Sequence, residues 1–186
     1  TIDLLLDHYP CLRGFRQHGD VSWVAWLSRP HVDCDKLSRP EALYRASEGF
    51  EANGDRADTL WFTEGRQAFF LPAEGDFSPA IEIPGYDLPS APCLLMHASC
   101  AVFWRHGEGD PQLVGSVVDS HGADVLWRAT PARVFLDQGK EGIVHLWMDL
   151  QGIDQADLLK VYLWEPGQAS VSIDQLSVEI FRCEND

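Results

Sequence analysis

The 186-residue chain sets 14 Lys and Arg against 29 Asp and Glu, a formal net charge of −15. A surface of that sign repels phosphate backbones and anionic lipid, which excludes nucleic-acid binding and electrostatic membrane docking as primary tasks. Trp 7, Tyr 4 and Phe 9 supply bulk for a sizeable core, and the length fits one large sandwich domain, alone or with an appended segment.

In chain order, residues 1–19 fit either a short strand or a helical turn. Residues 21–27 (VSWVAWL) put Val21, Trp23, Ala25 and Leu27 on one parity and read as a strand. The charged, proline-bracketed stretch 28–40 is a loop. A short helix over 40–48, with Pro40 in its first turn, and a strand over 42–47 fit equally well. Residues 58–63 and 67–71 flank Glu64, Gly65 and Arg66 at hairpin spacing, and 80–83 is a short strand candidate.

The longest strand candidate is 93–104 (CLLMHASCAVFW), with Leu94, Met96, Ala98, Cys100, Val102 and Trp104 on its more uniformly apolar face. Strands are expected at 113–119, at 125–129, as a short piece at 130–135, and at 143–150. Leu158–Trp164 and 169–182 form a closing pair about the turn 165–168, where Pro166 and Gly167 break the chain. In that pair Leu159, Val161 and Leu163, then Leu176, Val178 and Ile180, are the expected core set. Many short strands separated by turn chemistry read as an antiparallel sandwich or barrel.

Five cysteines (Cys11, Cys34, Cys93, Cys100, Cys183) are too sparse for a disulfide scaffold and contain no C-x-x-C pair. The odd count leaves a free thiol, and the opposite parities of Cys93 and Cys100 argue against a bridge between them. Bridges from Cys11 to Cys34, or from Cys183 to an earlier strand, stay open. No apolar run is long enough to span a bilayer. A chain beginning at Thr1 is expected to be a processed or shortened form, with any signal peptide or anchor outside it.

Five motifs stand in order along residues 48–182: EGFE at 48–51, TEGRQA at 63–68, DFSPAIEI at 76–83, VYLWEPG at 161–167 and SIDQLSVE at 172–179. In that order they resemble jelly-roll β-sandwich domains related to carbohydrate-binding modules and galactose-binding-like domains. The last two resemble especially the modules appended to surface or envelope proteins of Bacteroidetes-type bacteria. The resemblance implies an all-β antiparallel jelly-roll sandwich over 48–186, with residues 1–47 as an N-terminal extension packed on it. It also implies a non-catalytic, extracytoplasmic module (periplasmic, cell-surface or secreted) with a glycan or another protein domain as partner. Such domains often hold a structural Ca2+ through an early glutamate and an aspartate before the last strand; the matching residues are Glu51 and Asp174. Many members follow that aspartate with a second acid, where this chain has Gln175. The local alternative is that Glu51 caps a turn and Asp174 accepts nearby backbone hydrogen bonds.

Trp147, Trp164 and Trp127 are the candidate sugar platforms, because a flat apolar ring matches the C–H face of a pyranose and neighbouring polar groups bond its hydroxyls. Trp147 and Trp164 alternate with core positions and have polar neighbours (His145 and Asp149; Lys160), so they are expected on an exposed concave face. Tryptophan is more often core than platform. Asp119, Asp124, Asp149 and Glu165 would be the acids of a glycoside hydrolase, yet no spacing pairs them for that chemistry. No H-x-H or H-E-x-x-H arrangement, nucleophile elbow or phosphate loop occurs. The expected function is therefore non-catalytic glycan binding, with a structural or protein-interaction domain as the runner-up.

Overall fold

The alternation of apolar and polar side chains is answered by strands in the computed structural model, which describes residues 12–18, 22–27, 41–49, 57–59, 67–71, 77–136 and 141–182. The chain forms two units, Thr1–Glu41 and Ala42–Asp186. In the first, β1 (Leu12–His18) and β2 (Ser22–Leu27) pair antiparallel, with an irregularity between Leu12 and Gly14.

The second unit contains, in order, β3 (Tyr44–Glu48), β4 (Ala57–Thr59), β5 (Gln67–Leu71), β6 (Ile81–Pro84), β7 (Leu94–His106) and β8 (Gln112–Val118). It continues with β9 (Asp124–Pro131), β10 (Glu141–Asp149), β11 (Leu158–Trp164) and β12 (Ser170–Arg182). They make two antiparallel sheets in a jelly-roll-like β-sandwich. The larger sheet runs β10-β7-β12-β5-β4, with β3 also on β12, and the smaller runs β6-β11-β8-β9.

Between helix and strand for 40–48, strand wins because β3 finds a partner. Leu176–Ile180 of β12 accept its backbone, so Tyr44–Glu48 lies within the sandwich sheet. One flank of β12 is shared, β5 pairing with Val171, Ser172 and Ile173 and β3 with the positions beyond. β4 pairs with β5 through Ala57, Asp58 and Thr59, so residues 60–66, rather than 64–66, lie between the paired positions. A 3-10 turn at Ala132–Val134 replaces the short strand expected over 130–135. There Ala132 donates its N–H to the Pro111 carbonyl at 2.7 Å, outside any ladder.

The expected closing pair does not pair. β11 lies in the smaller sheet against β6 and β8, and β12 lies in the larger against β7. Each strand has an apolar inner face that needs a layer opposite it, so residues 165–169 cross from one sheet to the other instead of closing a hairpin.

Inward-facing Leu94, Met96, Ala98, Cys100, Val102 and Trp104 of β7 are all buried, as are Val144, Leu146 and Met148 of β10. Opposite them stand Leu113 and Val117 of β8 with Leu159, Val161 and Leu163 of β11. The layers touch at Gly115. A Cβ there would come within 2.9 Å of Met148 Sδ and Met96 Cε and 3.2 Å of Leu146 Cδ2, so a hydrogen is the side chain that this depth of packing allows. Gly115→Val is expected to lose about 1–3 kcal/mol of unfolding free energy, read as a lower urea midpoint at unchanged slope. An unchanged midpoint would contradict this packing.

Candidate ligand-binding faces

Because the apolar residues of each strand point between the sheets, the alternate residues form two outer faces that look away from each other. On the larger sheet, register sets these outward residues in rows across four strands. One row is Arg45, Glu179, His97 and Trp147, from β3, β12, β7 and β10; the next is Ser47, Ser177, Ser99 and His145. The second row has three short hydroxyl side chains where long ones would fill the surface. The result is a groove of about 400 Å³ lined by Ser47, Glu48, Ser99, Ile143, Gln175 and Ser177, among others.

The polar groups of the two rows are joined. Ser99 Oγ and Ser177 Oγ are 2.8 Å apart, and His97 Nε2 lies 3.0 Å from His145 Nδ1. Glu179 bridges, with Arg45 Nε at 3.2 Å and His97 Nδ1 at 3.7 Å. Rings stack alongside: His97 lies against Trp147 with centroids 4.3 Å apart and against His145 at 5.2 Å, and Phe181 flanks Trp147 at 6.2 Å. Phe135 meets His145 edge-on at 5.7 Å. Burial among these rings pushes the His145 pKa below the ordinary histidine value of 6.5.

On the smaller sheet the outward residues are Trp164, Tyr162 and Trp127. Phe77, bridged to Trp164, lies nearly parallel to its ring (8°, centroids 6.1 Å apart) and edge-on to Tyr162 at 5.7 Å. Phe77 is 52% and Trp127 43% exposed. Lys160 and Glu82 form an ion pair at 2.9 Å on the same face.

The expectation that Trp147 and Trp164 share one concave face is therefore corrected. Trp147 alternates with Leu146 and Met148, and Trp164 follows Leu163; those apolar neighbours pack toward each other between the sheets, so the two rings point apart. Trp127 lies on the Trp164 side, opposite Ser116 in the register. His145 joins Trp147 on the larger sheet. Asp149 is exposed at the end of β10, where its Oδ2 accepts from the Gln151 amide at 3.1 Å.

Asp174 is buried in β12; its Oδ1 accepts the Gln175 N–H at 2.7 Å, while Oδ2 has no hydrogen-bond partner. That leftover oxygen suits one donor of the calcium pair, and Glu51 lies outside the described residues. Of the four acids weighed for hydrolysis, Asp119 is occupied in the β8–β9 turn, accepting the N–H groups of His121 and Ala123 at 2.8 and 2.9 Å. Glu165 is fully buried. Among the described residues no group of three or more His, Cys, Asp or Glu is placed to hold a metal ion, and no helix is long and apolar enough to cross a membrane. Cys100 is a free thiol buried in the core, its pKa pushed up by burial and then by Asp174. Cys93 is disulfide-bonded, so the two do not bridge each other.

The serine–histidine row escaped the sequence reading because its members lie far apart in the chain. The available signal was the second parity of 93–104, where His97 and Ser99 interrupt an apolar run.

No protein-family model matches the chain, and no curated protein matches it significantly. Among solved structures it is similar to the CBM22-1 xylan-binding domain from Paenibacillus barcinonensis Xyn10C, at 14% identity and TM-score 0.47, over 78% of this chain and 97% of that one. It is similar also to the CBM22-1-CBM22-2 tandem domain of the same protein (15%, TM-score 0.49, 80% of this chain and 49% of that one). A third likeness is to the infectious bursal disease virus VP2 subviral particle (12%, TM-score 0.48, 90% and 40%). Its fold resembles that of carbohydrate-binding modules at low sequence identity. Likeness of fold does not fix function, which has to be argued from side chains.

The lowered His145 pKa has a consequence with a definite sign. As pH falls through 6.5 the unfolded chain takes up the proton first, so the His145 contribution to native stability is lost from there down to the lower folded-state midpoint. His145→Gln is expected to flatten the fall of Tm over that range, measured by calorimetry, and the His145 proton resonances should titrate with a midpoint below 6.5. A midpoint at or above that value would contradict the burial argument.

Proposed function

We propose that this domain is a non-catalytic module that binds an uncharged polysaccharide in the groove on the outer face of the larger sheet. The observation that carries the reading is the row Ser47, Ser177, Ser99 and His145. It sets three hydroxyl groups along the floor of an open trough, with His145 ending the row and the ring stack of His97 and Trp147 beside it. Sugars need both partners, polar groups for their hydroxyls and ring faces for their C–H surfaces. In the row beside the groove Glu179 is paired with Arg45, and burial favours neutral His145. With a chain charge of −15, this favours neutral over acidic glycans.

The disulfide at Cys93 supports an extracytoplasmic location, since such bonds persist in oxidising compartments. The runner-up, a contact with a neighbouring protein domain, is supported by the other outer face, where Phe77, Trp127 and Val125 are exposed.

The test is a polysaccharide panel followed by affinity electrophoresis. Ser177→Leu, which fills the trough without touching the core, and Trp147→Ala should each weaken retardation by roughly tenfold or more. Trp164→Ala, on the opposite face, should leave it unchanged. Binding by the parent that survives both groove variants but fails in Trp164→Ala would move the site to the smaller sheet, and no binding across the panel would overturn the reading.

A further inference from the structure

Two rings on the outer face of the larger sheet hold one hydrogen between them. His97 of β7 stands opposite Trp147, and His145 of β10 opposite Ser99, so the histidines meet diagonally across neighbouring strands. Their planes lie within 15° of each other, and His97 Nε2 is 3.0 Å from His145 Nδ1. A contact of that length needs one N–H and one lone pair.

The surroundings decide which ring supplies the hydrogen. The other nitrogen of His97, Nδ1, faces Glu179 Oε2 at 3.7 Å, and Glu179 Oε1 lies 3.2 Å from Arg45 Nε. Among the described residues that carboxylate contact belongs to His97 and not to His145. A carboxylate keeps the nitrogen facing it protonated, so in the neutral pair His97 Nε2 accepts and His145 Nδ1 donates. The other charged or imidazole groups on these strands are Glu48 on β3, Arg105 and His106 on β7, Asp174 and Arg182 on β12, and Glu141 and Asp149 on β10. By register all of them lie outside the two rows that hold the pair. From the 3-10 turn the Phe135 ring meets His145 edge-on, while Arg133 stacks over Trp104.

Proton uptake from water then has one outcome. A cationic His97 donates from both nitrogens, Nδ1 to Glu179 and Nε2 to His145, whose own hydrogen passes by exchange with solvent from Nδ1 to Nε2. A second proton would set two N–H groups against each other at 3.0 Å, so the pair stops at one. Burial opposes charge on His145, and Glu179 stands against His97, so His97 is the ring that carries it. With His97 neutral, Arg45 and Glu179 balance each other. With His97 charged, their row carries one net positive charge beside the groove.

We propose that this pair is a one-proton switch on the ligand preference of the groove. Resting on the polysaccharide reading above, it lets the groove take neutral glycan in both states and carboxylate-bearing glycan when His97 is charged. A sugar hydroxyl both donates and accepts, so the change of tautomer at His145 leaves contacts to a neutral chain in place. A carboxylate on the chain gains an attraction that the balanced row withholds.

Affinity electrophoresis at about pH 8 and about pH 5.5, either side of the ordinary histidine value, compares two probes. One is the neutral polysaccharide of the panel that retards the parent most; the other is a carboxymethyl derivative of the same polymer. From the higher to the lower pH, retardation by the derivative should rise roughly three- to tenfold, and retardation by the neutral polymer should change less than about twofold. His97→Gln, which keeps an amide between its neighbours but takes up no proton, should give the same retardation at both pH values with either probe. Glu179→Gln, which leaves Arg45 unbalanced, should raise retardation by the derivative already at the higher pH. In long-range 1H–15N spectra of the parent, His97 should take the first proton as His145 passes to its Nε2–H form. Binding absent at both pH values would overturn the polysaccharide reading and the switch with it. Binding with equal pH ratios in the parent and His97→Gln, or His145 charging before His97, would overturn the switch alone.

Discussion

The sandwich depends on one extra residue in its central strand. Val171 and Ile173 face the core on odd positions of β12, whereas Leu176, Val178 and Ile180 face it on even ones. An uninterrupted strand would send one of these sets to the surface, since a shift of one residue exchanges the two faces. Between Asp174 and Ser177 the register advances three positions on β12 for two on β7, and Gln175 takes a φ of 52°. The bulge absorbs the change of parity and keeps both halves buried. It also sets Ser177 opposite Ser99, so the groove follows from the same adjustment.

The strands themselves were readable because their burial is two-sided and regular. In 93–104 every even residue from Leu94 to Trp104 is apolar, and each is buried in β7. Glycine and proline marked most of the breaks. Pairing was less legible. Leu158–Trp164 and 169–182 are neighbours in sequence and looked like a hairpin, but local pattern does not record which layer a strand joins. Likewise 40–48 has no strong periodicity of its own, and it became a strand because β12 had an edge to offer.

The site was legible only in fragments. Periodicity correctly placed Trp147 and Trp164 off the core of their own strands. It could not say that those strands lie in different sheets, and that fact separates the two rings. Ser47, Ser99, His145 and Ser177 come from four strands, and serine has no distinctive sequence signal; the row exists only through register. The burial of Glu165 was hidden as well, as in sequence it looks like an ordinary turn acid before Pro166.

With aromatic side chains looking outward from both layers, the domain has two separate outer faces and a packed filling. Occupancy of one side does not compete with occupancy of the other, since some thickness of packed aliphatic residues stands between them. Under the proposed function, a polymer held against one surface leaves the opposite surface open to a neighbouring molecule.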